Sequence, residues 1–151
     1  MNAATTTTFG IKLANFDYCI RNGVYAVIRN DTAVAAVQGL SGYFLPGGGV
    51  EVGESSEETL RRELQEECDA SIEISSLIGE ATDYLFSAAE ERHFEKRGTF
   101  YLARFLTKPN ENLVWIPLQD ISKLFRQAGH VWAITQSIEK CRTMRCKTIE
   151  D

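Results

Sequence analysis

Apolar positions along the chain follow two rhythms. Over most of it they recur every second residue or in short β-branched runs, the spacing of strands, and in three places they recur every three to four residues. Tyr18-Cys19-Ile20 and Val24–Arg29 read as extended segments on either side of an Asn22-Gly23 turn, after a looser alternation from Phe9. Val24–Arg29 and Ala33–Gln38, both rich in residues that favour strands, flank a second turn at Asn30-Asp31-Thr32. Pro46 biases Leu45 to an extended backbone, so Tyr43–Leu45 ends a strand, and Val50–Val52 resumes one after Gly47-Gly48-Gly49. Ser71–Glu80 and Asp83–Phe86 alternate as one bent strand or two. The charged run from Ser87 to Arg97 predicts an exposed loop or hairpin tip, where Arg92, His93, Lys96 and Arg97 face phosphates or solvent. Gly98–Phe105 is the clearest strand, and Leu113–Leu118 is a last one that Pro117 places near an edge or an end.

The helical stretches are fewer. Ser55 is set to cap a helix with Glu58 as its capping-box partner, and no Gly or Pro follows before Asp69. Leu60, Leu64 and Cys68 give that helix one apolar stripe. At about 100° per residue, Glu63, Glu66 and Glu67 fall together on the adjoining arc. Asp120 caps a short helix to Phe125, and Gly129 precedes a final helix whose stripe is Val131, Ile134, Ile138 and Cys141. Residues 1–8 are expected to be a mobile tail and 142–151 a frayed one, leaving one domain over 9–141. Strand-rich halves with helices inserted predict an α+β or layered α/β/α domain.

With 151 residues, 44% of them hydrophobic and 25% charged, the chain has the make-up of one globular domain with a real core. A net charge of −5 argues against a groove for duplex nucleic acid. No apolar run approaches the ~20 residues of a membrane span, and the opening MNAATTTT lacks the apolar core of a signal peptide, so a cytoplasmic protein is expected. Cys19, Cys68, Cys141 and Cys146 form no CxxC, and with His93 and His130 as the only histidines no zinc spacing exists. Reduced thiols are expected.

The acidic arc carries the chemistry. Like charges at i,i+3 and i,i+4 each destabilise a helix by roughly 0.2–0.5 kcal/mol, so Glu63, Glu66 and Glu67 need a positive partner. Arg61 and Arg62 point away on the helical wheel, although Arg62 can reach back to Glu54 or Glu66. A hard divalent cation such as Mg²⁺ suits three carboxylates better, with substrate phosphates completing its shell. The three glycines free the backbone to turn sharply and offer carbonyls to a metal or amides to a phosphate.

Gly48, Glu54 and Arg62-Glu63-Leu64-Gln65-Glu66-Glu67, at this spacing, resemble the signature box of the Nudix hydrolases, the MutT-type pyrophosphohydrolases. The resemblance implies a mixed sheet between helices. It also implies Mg²⁺-dependent hydrolysis, with Mn²⁺ as an alternative metal, of a pyrophosphate bond in a nucleoside diphosphate derivative. By the same resemblance the Gly47 carbonyl, Glu63, Glu66 and Glu67 hold the metal, and Glu63 or Glu66 is also the catalytic base. Gly48, Glu54 and Arg62 are structural, the arginine orienting the carboxylates. The pattern departs at Asp69, where the family carries a glycine that ends the helix in a left-handed conformation; Asp adopts it more readily than most residues. Family members often recruit a further carboxylate, for which Glu111 is first choice, then Glu90, Glu91 and Glu95, each otherwise a surface glutamate.

Substrate recognition in this family lies outside the box. A nucleoside triphosphate, oxidised forms such as 8-oxo-dGTP included, is the first expectation, with ADP-ribose, nucleotide sugars and dinucleoside polyphosphates as alternatives. A non-catalytic nucleotide-binding regulatory domain would be expected to have lost carboxylates from the box, and the acidic balance speaks against RNA-end processing. The partner expected is a small-molecule nucleotide, without a membrane; a homodimer stays open.

Overall fold

Period-two alternation along Tyr18–Val27 and Arg92–Phe105 builds the two parallel strands at the centre of a mixed sheet. The computed structural model describes residues 7–150, with side chains through Lys140. In chain order the elements are β1 (Thr7–Phe9), β2 (Tyr18–Val27), β3 (Ala33–Gln38), β4 (Tyr43–Phe44), β5 (Gly47–Gly49), α1 (Ser56–Cys68), β6 (Ile72–Ser87), β7 (Arg92–Phe105) and β8 (Leu113–Pro117). A 3₁₀ turn (Leu118–Asp120), α2 (Ile121–Leu124) and α3 (Ala128–Glu150) follow. The larger sheet has the order β1-β6-β7-β2-β5, and β4-β3-β8 form a smaller antiparallel one.

The two faces of β2 feed two cores. Val24 and Ala26 pack on one side with Leu60, Leu64 and Cys68 of α1. Val27 packs on the other with Phe100, Ala81 and the α3 residues Ala133 and Ile134. Adjacent residues of β3 divide in the same way, Ala35 into the first core and Val34 and Ala36 into the second. Fully buried leucines such as Leu60 and Leu64 contribute roughly 1.5–3 kcal/mol each. The mixed sheet between helices is therefore the expected one. Among the described residues no helix is long and apolar enough to cross a membrane.

Several local expectations are corrected. Asn22-Gly23 does not turn: β2 runs straight through it, because ten consecutive residues pair with β7 and that ladder outweighs a local turn preference. The triglycine is not a sharp turn but strand β5, paired antiparallel with Gly23–Tyr25; the turn comes later, at Val52-Gly53. Of the two readings of Ser87–Arg97 the hairpin tip holds, but it is shorter than that run. Only residues 88–91 turn, and Arg92–Arg97 extend β7, burying Phe94 and Glu95. Of the two readings of Ser71–Glu80 and Asp83–Phe86, the one bent strand holds: both lie in β6, bent by register shifts at Ile74/Ser76 and Leu77/Gly79. The Asn30 turn does form, its Oδ1 accepting from the Thr32 and Ala33 amides, both at 2.8 Å.

At the ends, Thr7 and Thr8 of the expected tail lie in β1, while residues 1–6 are outside the described residues. The α3 backbone runs past Arg142 to Glu150, and the side chains of the expected frayed tail, like those of Cys141 and Cys146, are not among those described. Cys19 and Cys68 are free thiols.

Candidate active site

Two caps fix α1 in place. Ser55 Oγ accepts from the Glu58 amide at 3.2 Å, and at the other end Asp69 adopts the left-handed conformation, φ 50°. The Asp69 amide donates to the Gln65 carbonyl at 3.1 Å, and the Asp69 carboxylate accepts from Gln65 Nε2 at 2.6 Å. Asp69 thus ends the helix as a glycine would.

Arg62 is the hub of the acidic face, contrary to its position on the helical wheel. Its long side chain curls back over the first turn. Nε donates to Glu54 Oε2 at 2.7 Å and Nη2 to Glu54 Oε1 at 2.9 Å, while Nη1 donates to Glu63 at 3.0 Å and Glu66 at 3.2 Å. Nη2 also reaches the Gly49 carbonyl at 3.0 Å, tying α1 to β5. This two-pronged contact holds the Glu54 carboxyl down at about 2, helped by the Glu51 amide. Arg61 does turn away, to the Ile72 carbonyl.

Glu63 and Glu67 stand against β5. An added Cβ at Gly48 would come within 2.5 Å of the Glu63 carboxyl carbon, so only glycine leaves room for that side chain. Gly47, at φ +144°, is hemmed in by the Val24 carbonyl and Tyr25, and its amide donates to Glu67 Oε1 at 2.9 Å. Burial pushes the Glu67 carboxyl up to about 7; the Gly47 amide opposes the shift and the charges of Glu63 and Glu66 add to it. Burial, set against Arg62, raises Glu63 as well. As placed, Arg62 and Gly47 hold these carboxylates, and among the described residues no three acidic, histidine or cysteine side chains converge as a metal cage.

A cavity of about 960 Å³ runs from the Gly49–Glu54 loop, at one end of the acidic motif, across the α3 side of β2 and β7. Tyr25, Asp83, Phe94, Lys96, Gln127 and His130 line it. His130 is 1% exposed, and its Nδ1 accepts from the Leu45 amide at 3.0 Å, which assigns the proton to Nε2. Burial, with Lys96 adding to it, pushes its pKa down to about 3, so the ring is neutral. Tyr25 lies 4.4 Å from it, ring to ring. Its phenol is pushed up to about 12 by burial and then by Glu67, Glu63 and Asp83.

Comparison with known proteins places this geometry. The family model for the NUDIX domain matches residues 20–136. The chain belongs to the NUDIX family. It is a Nudix-type pyrophosphohydrolase, and no curated protein sequence matches it individually. Among solved structures it is similar to the MutT NUDIX hydrolase of Burkholderia pseudomallei, at 26% identity over 78% of this chain and 98% of that one, with a TM-score of 0.61. It shares its fold with the NUDIX hydrolase of Nitrosomonas europaea, at 18% identity over 81% and 90% of the two chains, TM-score 0.64. The same holds for the Ap4A hydrolase of Caenorhabditis elegans, at 18% identity over 82% and 99%, TM-score 0.60.

The carboxylates outside the Nudix box are scattered. Glu90 lines the cavity, while Glu91 sits at positive φ in the turn beside it. Glu95 is no surface residue: it is 4% exposed and accepts from Lys12 and Arg97. Burial raises its pKa, but these cations outweigh that and hold it low. It points to the α1 side of the sheet, opposite the cavity-lining Phe94 and Lys96. Glu111 is exposed in a loop docked on the C-terminal end of α1, where Asn112 Nδ2 donates to the Glu67 carbonyl at 3.1 Å. Sequence reasoning did not bring Asp83, Gln127 and His130 together in this cavity. The available signal was three polar side chains in otherwise apolar-patterned stretches that fold inward.

Proposed function

We propose that this Nudix enzyme hydrolyses a pyrophosphate bond in a nucleoside diphosphate derivative, with Mg²⁺ at the acidic face of α1 and water as nucleophile. The observation that carries this is a charge imbalance. The single guanidinium of Arg62 faces the carboxylates of Glu51, Glu54, Glu63 and Glu66, and Glu67 next to them holds its proton up to about 7. Such a surplus of hard oxygen donors beside a nucleotide-sized cavity fits a divalent cation. Glu63, Glu66, Glu67 and the Gly47 carbonyl would hold it, and Mn²⁺ can substitute on the same donor chemistry.

When bound, the metal offsets phosphate charge and makes water more acidic. The protein does the rest. Arg62 orients Glu63 and Glu66, one of which takes the proton from the attacking water, and Glu54 locks Arg62. Gly47 fixes Glu67 through its amide, and Gly48 admits Glu63. A nucleoside triphosphate, oxidised or not, is the first candidate substrate, ahead of ADP-ribose, nucleotide sugars and dinucleoside polyphosphates. Incubating each class with Mg²⁺ and resolving products by anion exchange tests this. The expected result is a nucleoside monophosphate plus the remaining phosphate-bearing fragment from one class; no cleavage of any class would overturn it.

A further inference from the structure

The cavity contains a polar pair that the phosphate chemistry leaves unused. Asp83 and Gln127 are each 7% exposed, and both line the cavity away from the acidic face of α1. The Asp83 oxygens accept from the Gly129 amide, in the first turn of α3, at 3.1 and 3.3 Å, which leaves lone pairs free. The Gln127 backbone carbonyl accepts from the His130 amide, but its side-chain amide makes no hydrogen bond with the described residues. Its amide atoms are not fully enclosed, so solvent in the cavity satisfies them and a ligand there can take that place. Lys96, which pairs with Asp83 across β6 and β7, adds a positive charge, and its ammonium lies 5.6 Å from the Phe94 ring centre. Burial raises the Asp83 carboxyl, opposed by the Gly129 amide and Lys96.

Aromatic rings also border the cavity, Tyr25 more open than the two buried phenylalanines. Tyr25, Phe94 and Phe100 line it, with the Tyr25 and Phe100 rings stacked at 5.7 Å. One mouth is the Gly49–Glu54 loop, so a nucleotide whose pyrophosphate lies at α1 reaches inward with its base. This step rests on the function proposed above. We infer that Asp83 and Gln127 are specificity-determining residues that read the hydrogen-bonding edge of the base, and that they select a base carrying an exocyclic amino group. A carboxylate only accepts hydrogen bonds, so an amino N–H satisfies it, while a keto oxygen in the same place sets lone pair against lone pair. Gln127, with both a donor and an acceptor, pairs with the neighbouring ring position. Sites built to bond a particular donor discriminate strongly against analogues without it.

The test is metal-free binding of nucleoside 5′-monophosphates, followed by tryptophan fluorescence or calorimetry. Among AMP, GMP, CMP and UMP the tightest should carry an amino group. Its counterpart without that group, IMP for the purines or UMP for CMP, should bind about tenfold or more weakly. Asp83→Asn, which keeps an oxygen for the Gly129 amide, should abolish that difference, and Gln127→Leu should weaken the preferred nucleotide with little change in melting temperature. Equal binding of the paired nucleotides, no binding by the wild type, or an unchanged preference in Asp83→Asn would overturn the assignment. No bond is cut and no metal is added, so failure here is separate from failure of the hydrolytic function, which would show as no cleavage of any substrate class with Mg²⁺.

Discussion

Arg62 grips Glu54 by both carboxylate oxygens, at 2.7 and 2.9 Å, across the turn that joins β5 to α1. Both prongs need a planar guanidinium, and a third nitrogen is left for Glu63 and Glu66. Arg62→Lys keeps the charge and loses the fork. Apparent Mg²⁺ affinity, read from the metal dependence of turnover, should weaken about 10–100-fold. An unchanged metal dependence would show that the arginine orients nothing.

Gly48→Ala is a steric test. Its Cβ would sit 2.5–2.6 Å from the Glu63 carboxylate, which must swing away, while Gly48 is not among the glycines at positive φ and so the backbone accepts alanine. Turnover should fall about a hundredfold, as for comparable misplacements of reacting groups, with the melting temperature nearly unchanged. Steady-state kinetics beside thermal melts separates the two effects.

Glu67 makes the metal-free protein sensitive to pH. Its carboxyl lies at about 7 when folded and at 4.5 ordinarily, so the folded state holds a proton that the unfolded chain has released. Stability from this group is therefore greatest below about 4.5 and falls as pH rises to 7. After discounting for partial exposure, the loss is on the order of 2 kcal/mol. Urea midpoints in EDTA at pH 5 and pH 8 should drop more for the wild type than for Glu67→Gln, because every other titrating group is common to both.

His130 should not titrate in the ordinary histidine range, its folded pKa lying near 3. A depressed histidine stabilises the fold fully above about 6.5, and this is lost as pH falls toward 3. Nitrogen chemical shifts of His130 should stay those of a neutral ring protonated on Nε2 from pH 8 to pH 5. A midpoint near 6.5 would contradict the Leu45 hydrogen bond.

What could be read from the sequence was what is local. The α1 caps, the Leu60-Leu64-Cys68 stripe and the acidic arc all lie within one helix and its ends, so spacing alone locates them. Asn22-Gly23 and Arg92–Arg97 lie in strands because pairing with neighbouring strands overrides their turn-like composition. The wheel places the Cβ of Arg62 off the acidic arc, and the expected reach back to Glu54 and Glu66 is made, because a long flexible side chain can cross a helical turn; the added contact with Glu63 is what spacing did not give. Asp83, Gln127 and His130 sit on β6, before α3 and within α3. Only the sheet order and the packing of α3 bring them to one cavity, and no spacing rule encodes that.

In the proposed mechanism the carboxylates of α1 grip a divalent cation beside a breaking phosphate anhydride. The most direct test is turnover of the best substrate by Glu67→Gln against the wild type at saturating Mg²⁺. The variant should turn over at least about a hundredfold more slowly, with folding intact by circular dichroism. Equal rates in the two proteins would contradict it.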